Sequence, residues 1–258
     1  MSAFMSAFAR LVGSLADALE PLFHASATAA AIVLFTALVR LAVHPLSRAS
    51  ARGQKARMKL QPKIAELRKK HGKNPERMQK ALLELHREEK VSPLSGCLPS
   101  LLQLPAFFLL FHLFSNASIG GEPNDLLSHT LFEAPLGGHW KDALADGGPF
   151  GGHGLVYLAL FALVTAVATF NYRRTKLQMA ASAALTPAPT GPDGQPVPGM
   201  GAINKLMPLM SFMTLFSVAV LPLAASLYIV TSTTWSAVER AVLYRDMVPV
   251  KAEVATAG

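Results

Sequence analysis

Residues 206 to 238 read LMPLMSFMTLFSVAVLPLAASLYIVTSTTWSAV, 33 residues without one Asp, Glu, Lys or Arg. An apolar run of about 18 residues is already long enough for a membrane span. As a single helix this stretch would reach ~50 Å, well beyond a hydrocarbon core of ~30 Å. Pro222 stands near its middle. The predicted form is therefore two short spans folded back through a tight turn, with one strongly tilted helix as the alternative.

Working outward, three more charge-free stretches appear: Pro21 to Val39, Val91 to Gly121 and Gly147 to Tyr172. The chain as a whole is 51% hydrophobic and 16% charged, against about 25% charge in an ordinary soluble domain. That composition excludes a typical soluble enzyme, and a single cysteine, Cys97, excludes a disulfide-stapled secreted fold. The predicted fold class is all-α, a polytopic helical bundle of five transmembrane helices.

The net charge of +8 is distributed by region. Residues 44 to 95 hold 14 Lys/Arg against 5 acids, whereas residues 115 to 153 hold Lys141 against Glu122, Asp125, Glu133, Asp142 and Asp146. Residues 171 to 205 turn basic again. Cytoplasmic loops collect Lys and Arg, so the first and third of these regions are expected inside and the second outside. The N-terminus then lies outside and the C-terminus in the cytoplasm, as in a multi-pass protein of a bacterial plasma membrane.

Residues 1–24 lack the charged start and cleavage site of a signal peptide. Phe4, Phe8, Leu11, Leu15, Leu19 and Leu22 recur at helical spacing, which predicts an amphipathic helix on the extracytoplasmic surface. The first span occupies 25–46 and is expected to stop at His44-Pro45, because proline disfavours helix in the residue before it. Residues 47–92 carry two apolar stripes, Leu60/Ile64/Leu67 and Met78/Leu82/Leu85, separated by His71-Gly72-Lys73-Asn74-Pro75. A glycine at C′, an Asn N-cap and a Pro at N1 make this a helical hairpin. The second span is 95–115, tolerating Pro99 and Pro105, and a Gly/Pro-rich acidic outer loop fills 116–153. The third span, 154–171, leads into a flexible cytoplasmic linker, 172–204, rich in Pro and Gly. Spans four and five occupy 205–221 and 222–239, and 240–258 forms a cytoplasmic tail.

No catalytic constellation is present: the chain has no HExxH, GxSxG or Walker A sequence, and no cofactor is expected. His129, His139 and His153 are too dispersed for a metal site. Cys97, alone in an apolar span, reads as an inert buried thiol.

Arg40 stands apart. At the centre of a span an arginine costs about 2.5 to 3.5 kcal/mol by insertion scales. Two readings are open: it snorkels towards the cytoplasmic interface, Pro45 being only ~7.5 Å of rise away, or it serves a polar cavity. Thr36 lies one turn before it. Gln103, Thr165, Thr169, Ser211, Thr214 and Ser217 add polar groups to the next three spans, and Tyr228, Thr231, Ser232, Thr234 and Trp235 crowd the fifth. Hydroxyls in membrane helices often bond their own backbone. Polar positions in every span, one intramembrane arginine and no intramembrane acid together suggest a hydrated groove of positive potential.

The runs Thr36-Ala-Leu-Val-Arg40-Leu-Ala-Val-His-Pro45-Leu46, Leu60-Gln61-Pro62, Asn74-Pro75-Glu76 and Pro93-Leu-Ser-Gly96-Cys-Leu-Pro-Ser-Leu-Leu-Gln103-Leu-Pro105 resemble the YidC/Oxa membrane-protein insertase family, in its short bacterial form with five spans. The resemblance covers most of residues 25 to 245. It implies an insertase and chaperone, not an enzyme, that inserts nascent membrane proteins into the lipid bilayer through a hydrophilic groove, alone or beside the Sec translocon. Arg40 corresponds to the family's groove arginine and Thr36 to a substrate-facing position. Where relatives often have Gly at 224 and an aromatic at 229, this chain has Ala224 and Ile229, leaving Tyr228 and Trp235 as the aromatics able to make that contact.

The expected capture surface is the basic hairpin: Arg48, Arg52, Lys55, Arg57, Lys59, Lys63, Arg68, Lys69, Lys70, Lys73, Arg77, Lys80, Arg87 and Lys90. Nascent chain, ribosome and anionic lipid are its expected partners, and a basic face solvated near anionic headgroups is the plainer alternative. The tail after Arg245 carries only Asp246, Lys251 and Glu253 as charged residues, so no long basic ribosome-binding extension is expected. A small transporter or channel subunit, or a scaffold of a larger membrane complex, are the competing functions. Specific nucleic-acid binding is not expected, because the positive charge follows topology.

Overall fold

The apolar runs fold as helices almost wherever the chain is described. In the computed structural model the described residues are 2–71, 74–89, 98–119, 121–185 and 206–245, and the protein is mostly helical. The helices are α1 (Ser2–Phe23), α2 (Ala27–His71), α3 (Pro75–Glu88), α4 (Leu98–Ser115), α5 (Trp140–Ala145), α6 (Gly152–Leu185), α7 (Met213–Val220) and α8 (Leu223–Leu243). By length and composition two helical stretches, Ser6–His71 and Gly152–Ala180, are apolar enough to cross a membrane, and Met207–Val220 is a shorter apolar stretch.

The chain forms two compact units. One comprises Met1–His44, Leu102–Phe170 and Ser211–Val238; the other comprises Pro45–Leu101, Asn171–Met210 and Glu239–Gly258. The core of the first unit gathers Val12 of α1, Ile32 and Phe35 of α2, Leu113 and Phe114 of α4, Tyr157 and Val164 of α6, Val218 of α7, and Leu223 and Tyr228 of α8.

α1 turns its small residues furthest into the core. Val12 and Ala16 are buried while Leu11 and Leu22 are exposed, and Phe8, Leu15 and Leu19 pack at the margin of the core. The stripe centres on small residues, Val12 and Ala16, which admit close approach of a neighbouring helix. Phe8 meets Phe35 edge to face at 5.9 Å between ring centroids.

At Pro45 the helix does not stop. α2 runs on through Pro45 and Pro62 to His71. Proline removes one backbone donor and one ladder bond, and polar neighbours, side chains or water can satisfy the freed carbonyl. α6 likewise continues past Asn171 to Leu185, through the first part of the segment expected to be a linker; the Pro/Gly-rich remainder, 186–205, lies outside the described residues.

Two breaks fall where the residues demanded them. Asn74 caps α3, its side-chain oxygen accepting from the Arg77 backbone N–H at 3.0 Å, with Pro75 opening the helix. The helix breaks at Leu221-Pro222, where Leu221 is extended between α7 and α8.

Residues 116–153 are more ordered than a Gly/Pro-rich loop suggests. Two small antiparallel ribbons form, β1 (Ser118–Ile119) with β2 (Glu122–Pro123) and β3 (Thr130–Leu131) with β4 (Ala134–Pro135). Asn124, buried, donates through Nδ2 to Leu113 O at 2.8 Å and Asn116 O at 2.9 Å. The first bond uses a carbonyl in the last turn of α4, where carbonyls lack partners within the helix, and the second the residue just past its end. The segment also caps α8: the Leu223 and Ala224 N–H groups donate to Gly138 O at 2.9 Å and Leu136 O at 2.8 Å. The Tyr157 hydroxyl donates to the same Gly138 carbonyl at 2.6 Å. The break at Pro222 is thus anchored to α6 through one glycine.

Candidate functional site: Arg40 and the polar face of α8

Arg40 rides on α2 in the first unit, half-buried. Its Nε donates to Ser232 Oγ at 3.1 Å, and Nη2 donates to the same oxygen. Ser232, buried on α8, lies one turn beyond Tyr228, whose phenol also hydrogen-bonds it. The spacing i, i+4, i+7 puts Tyr228, Ser232 and Trp235 on one face of α8. Tyr228 packs between Phe107 and Phe114 of α4, each 6.1 Å away between ring centroids. Further along the same face, Trp235 Nε1 is buried without a hydrogen-bond partner among the described residues, as is Thr234 Oγ1 on another side of the helix.

The other candidates are spread more widely. Thr36 is fully buried and its hydroxyl donates to Ile32 O at 2.7 Å. Thr165 is exposed and donates to Phe161 O at 2.7 Å. Both hydroxyls therefore serve their own helices. Thr169, Ser211 and Thr231 are half-buried, and Thr214 makes only a long 3.5 Å bond to Ser211 O. Gln103 belongs to α4, but its side chain lies outside the described residues. Ser232 is the residue that sequence reasoning passed over: it stood among the hydroxyls of the last span without being singled out. The signal that finds it is its i, i+4 relation to Tyr228.

The hairpin bases lie in the second unit. Arg48, Arg52, Lys59, Lys69, Lys70, Arg77, Lys80 and Arg87 are exposed, and Lys55 and Arg57 are half-buried. Lys63 pairs with Glu89, which raises its pKa, chiefly through their hydrogen bond. Lys73 and Lys90, like Cys97, fall outside the described residues, as does the side chain of Arg68. Leu60 and Leu85 are buried within this unit.

Among the described residues no three His, Cys, Asp or Glu side chains converge on a metal position. His139 instead faces Asp142 at 3.2 Å and His153 faces Asp146 at 3.3 Å. The His139 backbone N–H donates to Asp142 Oδ2 at 3.0 Å and holds that carboxyl below its ordinary range. A depressed carboxyl pKa stabilises the fold above the unfolded value and loses that effect as pH falls through the folded one. Protection of the amides at the start of α5, taken relative to their intrinsic exchange rates, is accordingly expected to stay constant down to about pH 4 and to fall below it. Loss of protection already at about pH 6 would contradict this.

A family model described as 60Kd inner membrane protein matches residues 19–251. Among similar proteins, one from Clostridium perfringens named membrane protein insertase YidC is 44% identical over 84 residues, 33% of this chain and 35% of that protein. A protein of the same name from Magnetococcus marinus is 47% identical over 81 residues, 31% of this chain and 15% of the relative. Another, from Polynucleobacter asymbioticus, is 37% identical over 101 residues, 39% of this chain and 18% of its own length. The matched segments thus span well under two thirds of these relatives. The family match runs through both compact units and includes Arg40, Tyr228 and Ser232, so the chain belongs to the 60Kd inner membrane protein family.

Proposed function

We propose that this protein is a membrane insertase that passes polar tails of nascent membrane proteins across the bilayer along a positive, hydrated groove built on Arg40. The observation that carries this reading is the half-buried Arg40 side chain on an apolar helix, held by Ser232 beside Tyr228. An arginine in such a place is costly and marks a polar path by default. Relatives named as insertases support the same activity.

In this reading the bundle has five spans, carried by the apolar parts of α2, α4, α6, α7 and α8. α1 lies on the extracytoplasmic surface and 116–153 closes the outer side. The charge alternation of the sequence supports that orientation. Exposed apolar side chains on the spans, among them Leu38, Leu41, Phe108, Leu163 and Phe216, suit contact with lipid.

The mechanism requires no nucleotide. A hydrated groove lowers the desolvation cost of a polar tail part-way across, and Arg40 attracts its acidic groups. The apolar helix of the substrate then gains burial in lipid at about 25 cal/mol per Å². A membrane potential, negative inside, drives acidic tails outward by about 2.3 kcal/mol per charge for each 100 mV. The exposed bases of α2 and α3 provide the capture surface for nascent chain, with the ribosome and the Sec translocon as further partners.

The test is reconstitution of the purified full chain into vesicles with a single-span reporter bearing an acidic N-terminal tail. Protease-protected reporter well above that of empty vesicles is expected. Equal protection in both would overturn the assignment.

A further inference from the structure

A second cationic site belongs to the other unit, which holds the C-terminal ends of α6 and α8. Arg174 of α6 stands over the Tyr244 ring, its guanidinium carbon 5.9 Å from the centroid. Its Nη2 is buried and has no hydrogen-bond partner among the described residues. An arginine that stacks on an aromatic ring while a buried N–H goes unused is a donor awaiting an acceptor. Arg240, in the last turn of α8, is close enough to act on Arg174 as a like charge.

Two guanidinium groups do not approach each other without cost unless an anion joins them. Among the described residues neither has a carboxylate at ion-pair distance. The nearby acid, Glu239, acts on Tyr244 and has an interaction of its own. Tyr244 also hydrogen-bonds Ser50 of α2. The ring is therefore held in place, and the unused Arg174 donor sits on a built platform.

We infer that Arg174 and Arg240, with Tyr244 as platform, bind a phosphate group, and that the phosphate belongs to an anionic phospholipid. Guanidinium forks match phosphate oxygens in geometry and charge. Lipid is favoured as the source because Leu177, one turn beyond Arg174, and Val242, two residues beyond Arg240, are both exposed apolar side chains. Acyl chain and headgroup would meet apolar and cationic groups on the same helix ends. The inference rests on the membrane orientation given above, but not on the insertase activity.

The test measures lipid retention rather than insertion. The full chain in detergent is titrated with phosphatidylglycerol, and bound lipid is counted by native mass spectrometry. Wild type is expected to retain phosphatidylglycerol, and each of Arg174→Gln and Arg240→Gln to weaken retention about fivefold, the effect of one surface arginine on an anionic lipid. Arg173→Gln, at an exposed neighbour, is expected to leave it unchanged. Arg240 is itself exposed, so its variant decides the matter even if Arg174→Gln fails to fold.

Retention unchanged in Arg240→Gln and in any folded Arg174→Gln overturns the site. Displacement of the lipid by millimolar inorganic phosphate makes soluble phosphate the ligand and overturns the lipid assignment. Displacement by an acidic reporter tail makes the site a polypeptide contact and overturns it too. Loss of insertion with normal lipid retention would count against the insertase reading alone.

Discussion

Reversing the charge of Arg40 is expected to abolish insertion of acidic-tailed reporters at unchanged protein level. With an effective dielectric constant near 20, a carboxylate ~8 Å from the guanidinium gains about 2 kcal/mol. Arg40→Gln forfeits that attraction, roughly 30-fold in rate, and Arg40→Glu replaces it by equal repulsion, roughly 1000-fold. Arg40→Lys keeps the charge but not the two-pronged grip on Ser232 seen here, so it should lie within a few-fold of wild type. The check is initial insertion rate in vesicles for the three variants. Normal insertion by Arg40→Glu would mean that the arginine merely anchors α2 at an interface.

Removing Tyr157 should have the largest effect on stability. Its ring is 1% exposed and lies 5.7 Å from that of Trp140, and its hydroxyl meets Gly138 O at 2.6 Å. That carbonyl also receives the Leu223 N–H that opens α8. Tyr157→Ala therefore empties a large site at the joint of α6, α8 and the 116–153 segment, with a loss of about 3 to 5 kcal/mol expected for an aromatic truncation. Tyr157→Phe retains the ring and gives up one hydrogen bond, about 1 kcal/mol. Thermal unfolding of both variants in detergent checks the ratio. Equal losses would show that the hydroxyl, not the packed ring, holds the joint.

The residues that spoke most clearly were those with a single local meaning. Asn74-Pro75 could open a helix and little else, and Pro222 within an over-long apolar run pointed to a break; α3 opens at Pro75 and the helix is interrupted at Leu221-Pro222. Pro45 was ambiguous by contrast, because proline lowers helix stability without forbidding a helix, and α2 continues through it. In α1 the large apolar residues marked the helix, whereas its tightest packing falls on the small Val12 and Ala16, which no hydrophobic stripe singles out. The order of residues 116–153 was hidden because it depends on long-range bonds, such as Asn124 to Leu113 and Leu136 to Ala224. No local pattern encodes those. Around Arg40, the cost of a charge in an apolar helix was plain from sequence. Its partner Ser232, 192 residues away in the chain, required the pairing of α2 with α8.

In the proposed mechanism a substrate's polar tail travels beside Arg40 and the polar face of α8. Trp235 is on that face, half-buried, with its indole N–H unused by any described residue. Replacing it with a photoreactive phenylalanine keeps an aromatic ring there and turns the position into a probe. Irradiation during insertion should give an adduct with the reporter's tail and none once insertion is complete, whereas the same probe at the exposed Leu163 of α6 should mark lipid. An insertion-competent Trp235 variant that never crosslinks to the tail would contradict the groove.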